Sequence, residues 1–107
     1  MKLEISKDFS NTPGGRYIDE GEFSGEAFRE SILLPKYNKI ENTSEKLEID
    51  FDNCFGFATS FLEEAFGGLV RIHHKRNVLK KIVIISNDDE TIAELITKYV
   101  TAAERNL

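Results

Sequence analysis

Lys46-Leu47-Glu48-Ile49-Asp50-Phe51 alternates polar and apolar without a break, and the chain then runs through Asp52-Asn53-Cys54-Phe55-Gly56-Phe57-Ala58 into Thr59-Ser60-Phe61-Leu62. Leu47, Ile49 and Phe51 fall on one side of a strand, with Lys46, Glu48 and Asp50 on the other. Asp52 to Ala58 follows no period. A helix begins near Ser60, because Leu62, Ala65, Phe66 and Leu69 recur at helical intervals. Two endings are open. The helix can continue through Gly67-Gly68, at about 1 kcal/mol per glycine relative to alanine, where its backbone lies close against a sheet. Alternatively it stops at Phe66, with Gly67 as its C-cap.

The same pattern extends in both directions. Downstream, Ile82-Val83-Ile84-Ile85 is an uninterrupted β-branched run, the signature of a strand buried on both faces in the middle of a parallel sheet. Asn87 with Glu90 forms a capping box, and Ile92, Ile96, Tyr99 and Ala103 share one helical stripe behind it. Upstream, Ser24 is a good N-cap, Phe28 and Ile32 follow at helical spacing, and Pro35 makes Leu34 the last expected helical residue. Lys36 to Glu45 reads as a loop. Lys2 to Ser6 reads as a short strand, Thr12-Pro13-Gly14-Gly15 as a turn, and Arg16-Tyr17-Ile18 as a second short strand. Helices alternating with strands imply parallel pairing and right-handed crossovers, hence an α/β fold.

At 107 residues the chain fits one domain, residues 1–107, with 40% hydrophobic and 31% charged residues, ordinary globular proportions. A net charge of −5 has the wrong sign for a protein that grips phosphates mainly by charge, so nucleic acid is not an expected partner. The one cysteine, Cys54, has no intramolecular mate, which points to a reducing, cytoplasmic setting. Neither a membrane span nor a secretory signal is expected from the apolar runs.

The strand end, loop and helix start from Asp50 to Glu63 carry the richest chemistry. Free N–H groups at a helix start can receive a phosphate or another acceptor, which leaves a nucleotide-binding or enzymatic domain at Thr59-Ser60 as the alternative function. No Gly-x-Gly-x-x-Gly or Walker signature accompanies it. Ser60 followed by Glu63 also reads as a capping box, with the hydroxyl occupied by backbone. Cys54 with His73 or His74 lacks a third member for nucleophilic catalysis, and adjacent histidines diverge too far on a helix to share a metal. Neither a metal nor a cofactor is expected. Arg71, Lys75, Arg76, Lys80 and Lys81 form a basic run that serves as solvated helix end or as docking patch. Arg16 and Arg29 read as surface or structural, Arg29 in a local ion pair with Glu26 and Glu30.

Two signatures carry a resemblance to a known family. Ser24-Gly25-Glu26-Ala27-Phe28-Arg29-Glu30 and Ser60-Phe61-Leu62-Glu63-Glu64-Ala65-Phe66-Gly67 resemble STAS-like domains of undescribed function, over roughly residues 14 to 100. These are distantly similar to the STAS domains of anti-sigma-factor antagonists. In the antagonists a strand ending in Asp-Leu leads to Asp-Ser-Ser-Gly-Leu. Here Ala58-Thr59-Ser60-Phe61-Leu62 falls on that motif, with Ala58 in place of the acid and Phe61 in place of the glycine. The resemblance implies a STAS-like fold with a mixed, mostly parallel sheet of about four strands and three helices. It implies a non-enzymatic regulatory module that binds a GHKL-type ATPase or kinase, with Ser60, or its neighbour Thr59, as phosphoacceptor. The expected contact surface is Asp50, Asp52, Asn53, Phe55, Phe57 and Phe61; the alternative is that the three phenylalanines plug the sheet end.

Overall fold

The computed structural model describes residues 1–107. Its sheet has three strands, β1 (Lys2–Glu4), β2 (Leu47–Asp50) and β3 (Ile82–Ile85), all parallel and in the order β1-β2-β3. Leu3 sits opposite Ile49, which sits opposite Ile84; Leu47 sits opposite Ile82. A short helix α1 (Ile5–Asp8) follows β1 directly. Two long helices make the crossovers. Gly25–Phe28, a π-helical turn Arg29–Leu33, and Leu34–Ile40 run on as one helix over 25–40, here α2. Thr59–Leu62, a π turn Glu63–Gly67, and Gly68–His73 form a second over 59–73, here α3. The chain closes with α4 (Thr91–Arg105). No helix is long and apolar enough to cross a membrane.

Strands laid down in sequence order, with each crossover right-handed, put both crossover helices on the same side of the sheet. Leu3, Leu47, Ile49 and Ile82 are accordingly buried under them, with Phe28, Phe61, Phe66, Leu69 and Ile96. The opposite face, with Lys2, Glu48 and Val83, is exposed. This arrangement explains the strict alternation of β2, the central strand. It also corrects the reading of Ile82–Ile85: β3 is an edge strand whose outward Val83 is 37% exposed, not a central strand covered on both sides.

Four further expectations change. The sheet has three strands, not about four, because Arg16-Tyr17-Ile18 pairs with nothing and leads into a 3-10 turn, Ile18–Glu20. Lys36–Ile40 is helix, not loop, and α2 passes through Pro35. Proline cannot donate to the helix ladder and crowds the carbonyl four residues back; here it follows the π turn at once, where the widened backbone absorbs both defects. Asn87 does not cap α4: its amide donates to Asp52 Oδ2, and Asp89 Oδ1 accepts the Thr91 N–H at 2.9 Å instead. The helix from Ser60 does run through Gly67-Gly68, as the first of its two endings required.

Candidate functional site

The two family-like signatures meet where α2 crosses α3. Ser24 caps α2, its hydroxyl accepting the Ala27 N–H at 3.1 Å, while the Gly15 and Arg16 carbonyls accept the next free amides, from Gly25 and Glu26. Gly25 lets the helices touch: a Cβ there would stand 2.5 Å from the Phe61 carbonyl oxygen. This closeness brings the two π turns face to face. Arg29 and Glu64, each 3% exposed, join them, with Arg29 Nη1 donating to Glu64 Oε2 at 2.6 Å and to the Glu64 carbonyl at 2.8 Å.

The pair is extended on both sides. Arg29 Nε donates to Glu30 Oε2 at 2.6 Å, and His73 Nε2 lies 2.6 Å from the same oxygen. Arg16 Nη1 donates to Glu63 Oε1 at 2.6 Å and to Glu64 Oε1 at 3.2 Å, and Arg71 Nη1 donates to Glu63 Oε2 at 2.7 Å. Burial opposes the Arg29 charge, but hydrogen bonds to Glu30 and Glu64 outweigh it and raise the pKa above the usual guanidinium value. Burial likewise pushes the Glu63 carboxyl up, and Arg71 and Arg16 more than reverse this, so it stays below the ordinary range. No buried side-chain polar atom lacks a partner. This saturated network is a foundation: it fixes how the two helices meet. The Gly67-Gly68 step belongs to it rather than to the sheet, since a Cβ on Gly68 would collide with Arg29 Nη1 and one on Gly67 with Glu63 Oε2.

What faces outward lies at the carboxyl ends of β2 and β3, where α/β folds present their ligand-contacting loops. Asp50 Oδ1 accepts the Asp52 N–H at 2.9 Å. Asp52 in turn accepts the Asp88 N–H at 2.9 Å and the Asn87 amide at 2.8 Å, and Asp88 Oδ2 accepts the Asn53 N–H at 3.0 Å. These bonds stitch the loop after β2 to the loop after β3. The Asp88 N–H is the main reason the Asp52 carboxyl is held below its usual pKa. Asn53 and Gly56 take positive φ, 67° and 113°; of the two residues between them, Cys54 turns toward the core and Phe55 toward solvent. The Phe55 N–H donates to the Asn11 carbonyl at 2.9 Å, yet its ring is 84% exposed. Beside it lies a groove of about 270 Å³ lined by Phe51, Phe57, Ile92, Asp88 and Asp89 among others.

The structure divides the predicted contact residues. Phe55, Asn53 and Thr59 are exposed; Asp50, Asp52, Phe57 and Ser60 are half-buried. Phe61 is wholly buried, with its ring centroid 5.7 Å from Phe28 and 5.8 Å from Phe57, so it belongs to the core and not to the contact surface. Ser60 is not a cap. The helix begins at Thr59, with Ala58 in the cap position two residues before Ser60, and Glu63 turns to Arg16 and Arg71 instead of reaching back. Both hydroxyls at this helix start are thus free of capping bonds.

Other groups are accounted for internally. The Cys54 thiol meets the Ser10 carbonyl at 3.7 Å, and burial, with Asp50, Asp52 and Asp88 nearby, pushes it up to about 11. His73 is engaged with Glu30, and no group of His, Cys, Asp and Glu is placed to hold a metal. Three residues of the basic run are bonded within the fold: Arg71 goes to Glu63, Lys75 to Glu41 at 2.7 Å, and Lys81 to the Thr43 and Glu45 carbonyls, each at 2.7 Å, while Arg76 and Lys80 are exposed. Sequence reasoning missed the Arg29–Glu64 junction, taking Arg29 for a local partner of Glu26 and Glu30. Only Glu30 fills that role, and Glu26 accepts the Ile18 N–H at 2.9 Å. The interior pair Gly67-Gly68 was the available signal, because it marks a place where another side chain occupies the Cβ space.

A parallel sheet with helices on one face, and two π-turned helices locked by a buried ion pair, define a small α/β domain. The model of the family described as "STAS-like domain of unknown function (DUF4325)" matches residues 24–91. The chain belongs to this family. Neither a curated protein nor a solved structure shows a significant match to it.

Proposed function

We propose that this domain is a non-enzymatic regulatory module that binds another protein through the loop and helix start from Asn53 to Thr59. The observation that carries the reading is Phe55, whose ring is 84% exposed on a loop that hydrogen bonds hold in place. An exposed aromatic on a preorganised loop loses little conformational freedom on binding, the property of an interface anchor. The chemically active groups at this corner are committed to its architecture. Asp50 and Asp52 hold backbone and amide N–H groups, and Cys54 stays protonated at neutral pH.

The likeness to anti-sigma-factor antagonists supports a GHKL-type ATPase or kinase as the partner, with hydroxyl phosphorylation as the switch. Thr59 is the better exposed acceptor, and Ser60 is half-buried one residue on. Glu63 and Glu64 are neutralised by Arg16, Arg29 and Arg71, so they oppose an added phosphate less than bare carboxylates would. The nucleotide-binding alternative has less behind it, since the adjacent groove carries Asp88 and Asp89, which repel phosphate.

The test captures partners from the native host with the wild-type protein and with Phe55→Ala. Recovery of an ATPase of the GHKL type with the wild type, reduced about tenfold or more with the variant, supports the reading; recovery of none under gentle conditions removes it. Incubation of a recovered kinase with ATP then either places phosphate on Thr59 or Ser60 or rejects the switch.

A further inference from the structure

The carboxyl-end groove combines an apolar floor with an unneutralised rim. Phe51, Phe57 and Ile92 supply the floor, and Asp88 and Asp89 the rim. At the helix junction Glu30, Glu63 and Glu64 all have cationic partners. By contrast, none of Asp50, Asp52, Asp88 and Asp89 enters an ion pair. Four carboxylates at one corner without a cation leave a negative potential there, and three of them, Asp50, Asp52 and Asp88, add to the effect of burial on the Cys54 thiol.

Two features narrow what would answer that potential. The carboxylates do not converge closely enough to hold a metal ion, so a compact divalent cation fits poorly. The groove, about 270 Å³, is also smaller than most small-molecule sites, which run from roughly 300 to 1,000 Å³. It is sized for one long side chain. A planar guanidinium spreads its donors over separated carboxylates and stacks on aromatic walls, as a lysine ammonium does not. We propose that this groove receives an arginine side chain of a partner protein, its stem against Phe57 and Ile92 and its guanidinium shared by Asp88 and Asp89. This deepens the protein-binding reading, on which it rests, by giving the partner's contact a chemistry: an arginine set beside an apolar pocket or ridge that covers Phe55.

The experiment titrates the full chain with N-acetyl-argininamide and follows backbone amide resonances by NMR. Parallel titrations use the neutral citrulline analogue, N-acetyl-lysinamide, and magnesium or calcium chloride. The expected result is shifts confined to residues 54–57 and 86–92 with the arginine probe, weaker ones with lysine and none with citrulline. In Asp88→Asn/Asp89→Asn, whose amide oxygens can still accept the Asn53 and Thr91 bonds, the arginine affinity falls about five- to tenfold, the size expected for losing two exposed charge pairs. An unchanged thermal melt shows that this variant still folds. Shifts spread over the acidic surface, equal shifts with citrulline, or displacement of the probe by a divalent ion at equal concentration would each overturn the proposal. Because the probe needs no partner, a negative titration with successful Phe55-dependent capture rejects the groove alone. A positive titration with failed capture rejects the ATPase reading alone.

Discussion

Replacing the Arg29–Glu64 pair one side at a time and then together isolates what a buried charge pair does in this fold. Arg29→Met leaves Glu64, 3% exposed, with Arg16 at 3.2 Å and Arg71 at 3.6 Å. Glu64→Leu leaves Arg29, equally buried, with only Glu30 at 2.6 Å. Removing one partner of a buried pair costs about 3–5 kcal/mol, and since each survivor keeps another opposite charge, about 3 kcal/mol is expected for either variant. The double variant removes both charges and fills the space with apolar groups, so it is expected to cost about as much as one single, a coupling of about 3 kcal/mol, at the top of the range for residues in contact. Against a typical stability of about 5–15 kcal/mol, each single is a large loss. The chain has no tryptophan, so urea unfolding is followed by far-UV circular dichroism, with a constant slope confirming the same unfolding transition. A double variant that loses the sum of the two singles, or a single that loses less than about 1 kcal/mol, would refute the claim that the pair is a coupled unit shielded from water.

Three other outcomes follow from the same geometry. Glu30 and Glu63 have carboxyl pKa values below their ordinary 4.5, since hydrogen bonds to His73 and Arg29, and to Arg71 and Arg16, outweigh the effect of burial. The unfolded chain therefore binds more protons at acidic pH. Their stabilisation is complete above about pH 4.5 and drains as pH falls through the depressed values; urea midpoints across pH 3 to 6 show this, and Glu63→Gln flattens the dependence. Gly68→Ala costs about 1–3 kcal/mol in thermal melts despite alanine's higher helix propensity, because the pinned Arg29 guanidinium cannot yield to the new methyl group. Gly67→Ala costs less, as the Glu63 side chain it meets is partly exposed and can shift; equal costs would contradict this. Cys54, with its thiol pushed up to about 11, is expected to alkylate far more slowly at pH 8 than a free thiol, and rapid labelling of folded protein would show the thiol to be freely ionised.

The elements that depend on local pattern were legible in the sequence. The alternation of Lys46–Phe51, the Ser24 cap and the stripe Ile92–Ile96–Ala103 each act within one strand or helix, and each is found where the pattern puts it. The errors arose where a distant contact decides. Ile82–Ile85 is apolar throughout, but its edge position follows from strand order, which no single strand encodes. Pro35 and the π turn before it are compatible only as a pair. Ser60 and Glu63 have the spacing of a capping box, yet Arg16, far away in sequence, claims the glutamate. At the corner, the role of Asp52 was hidden because its partners Asn87 and Asp88 come from the loop after the next strand.

The strand order also bears on how the chain is made. A ribosome releases β1 first, but Lys2 must wait for Glu48 to find its neighbour, and Glu48 for Val83. Every member of the arginine–glutamate lock, from Arg16 to His73, emerges before β3 does. The pair of helices α2 and α3 can therefore be assembled on a nascent polypeptide while the sheet is still unfinished. The last strand then docks along a finished border, and its arrival joins the loops that carry Asp52 and Asp88; α4 must still follow, laying Ile92 beside that corner and Ile96 and Val100 in the core, before the molecule is complete.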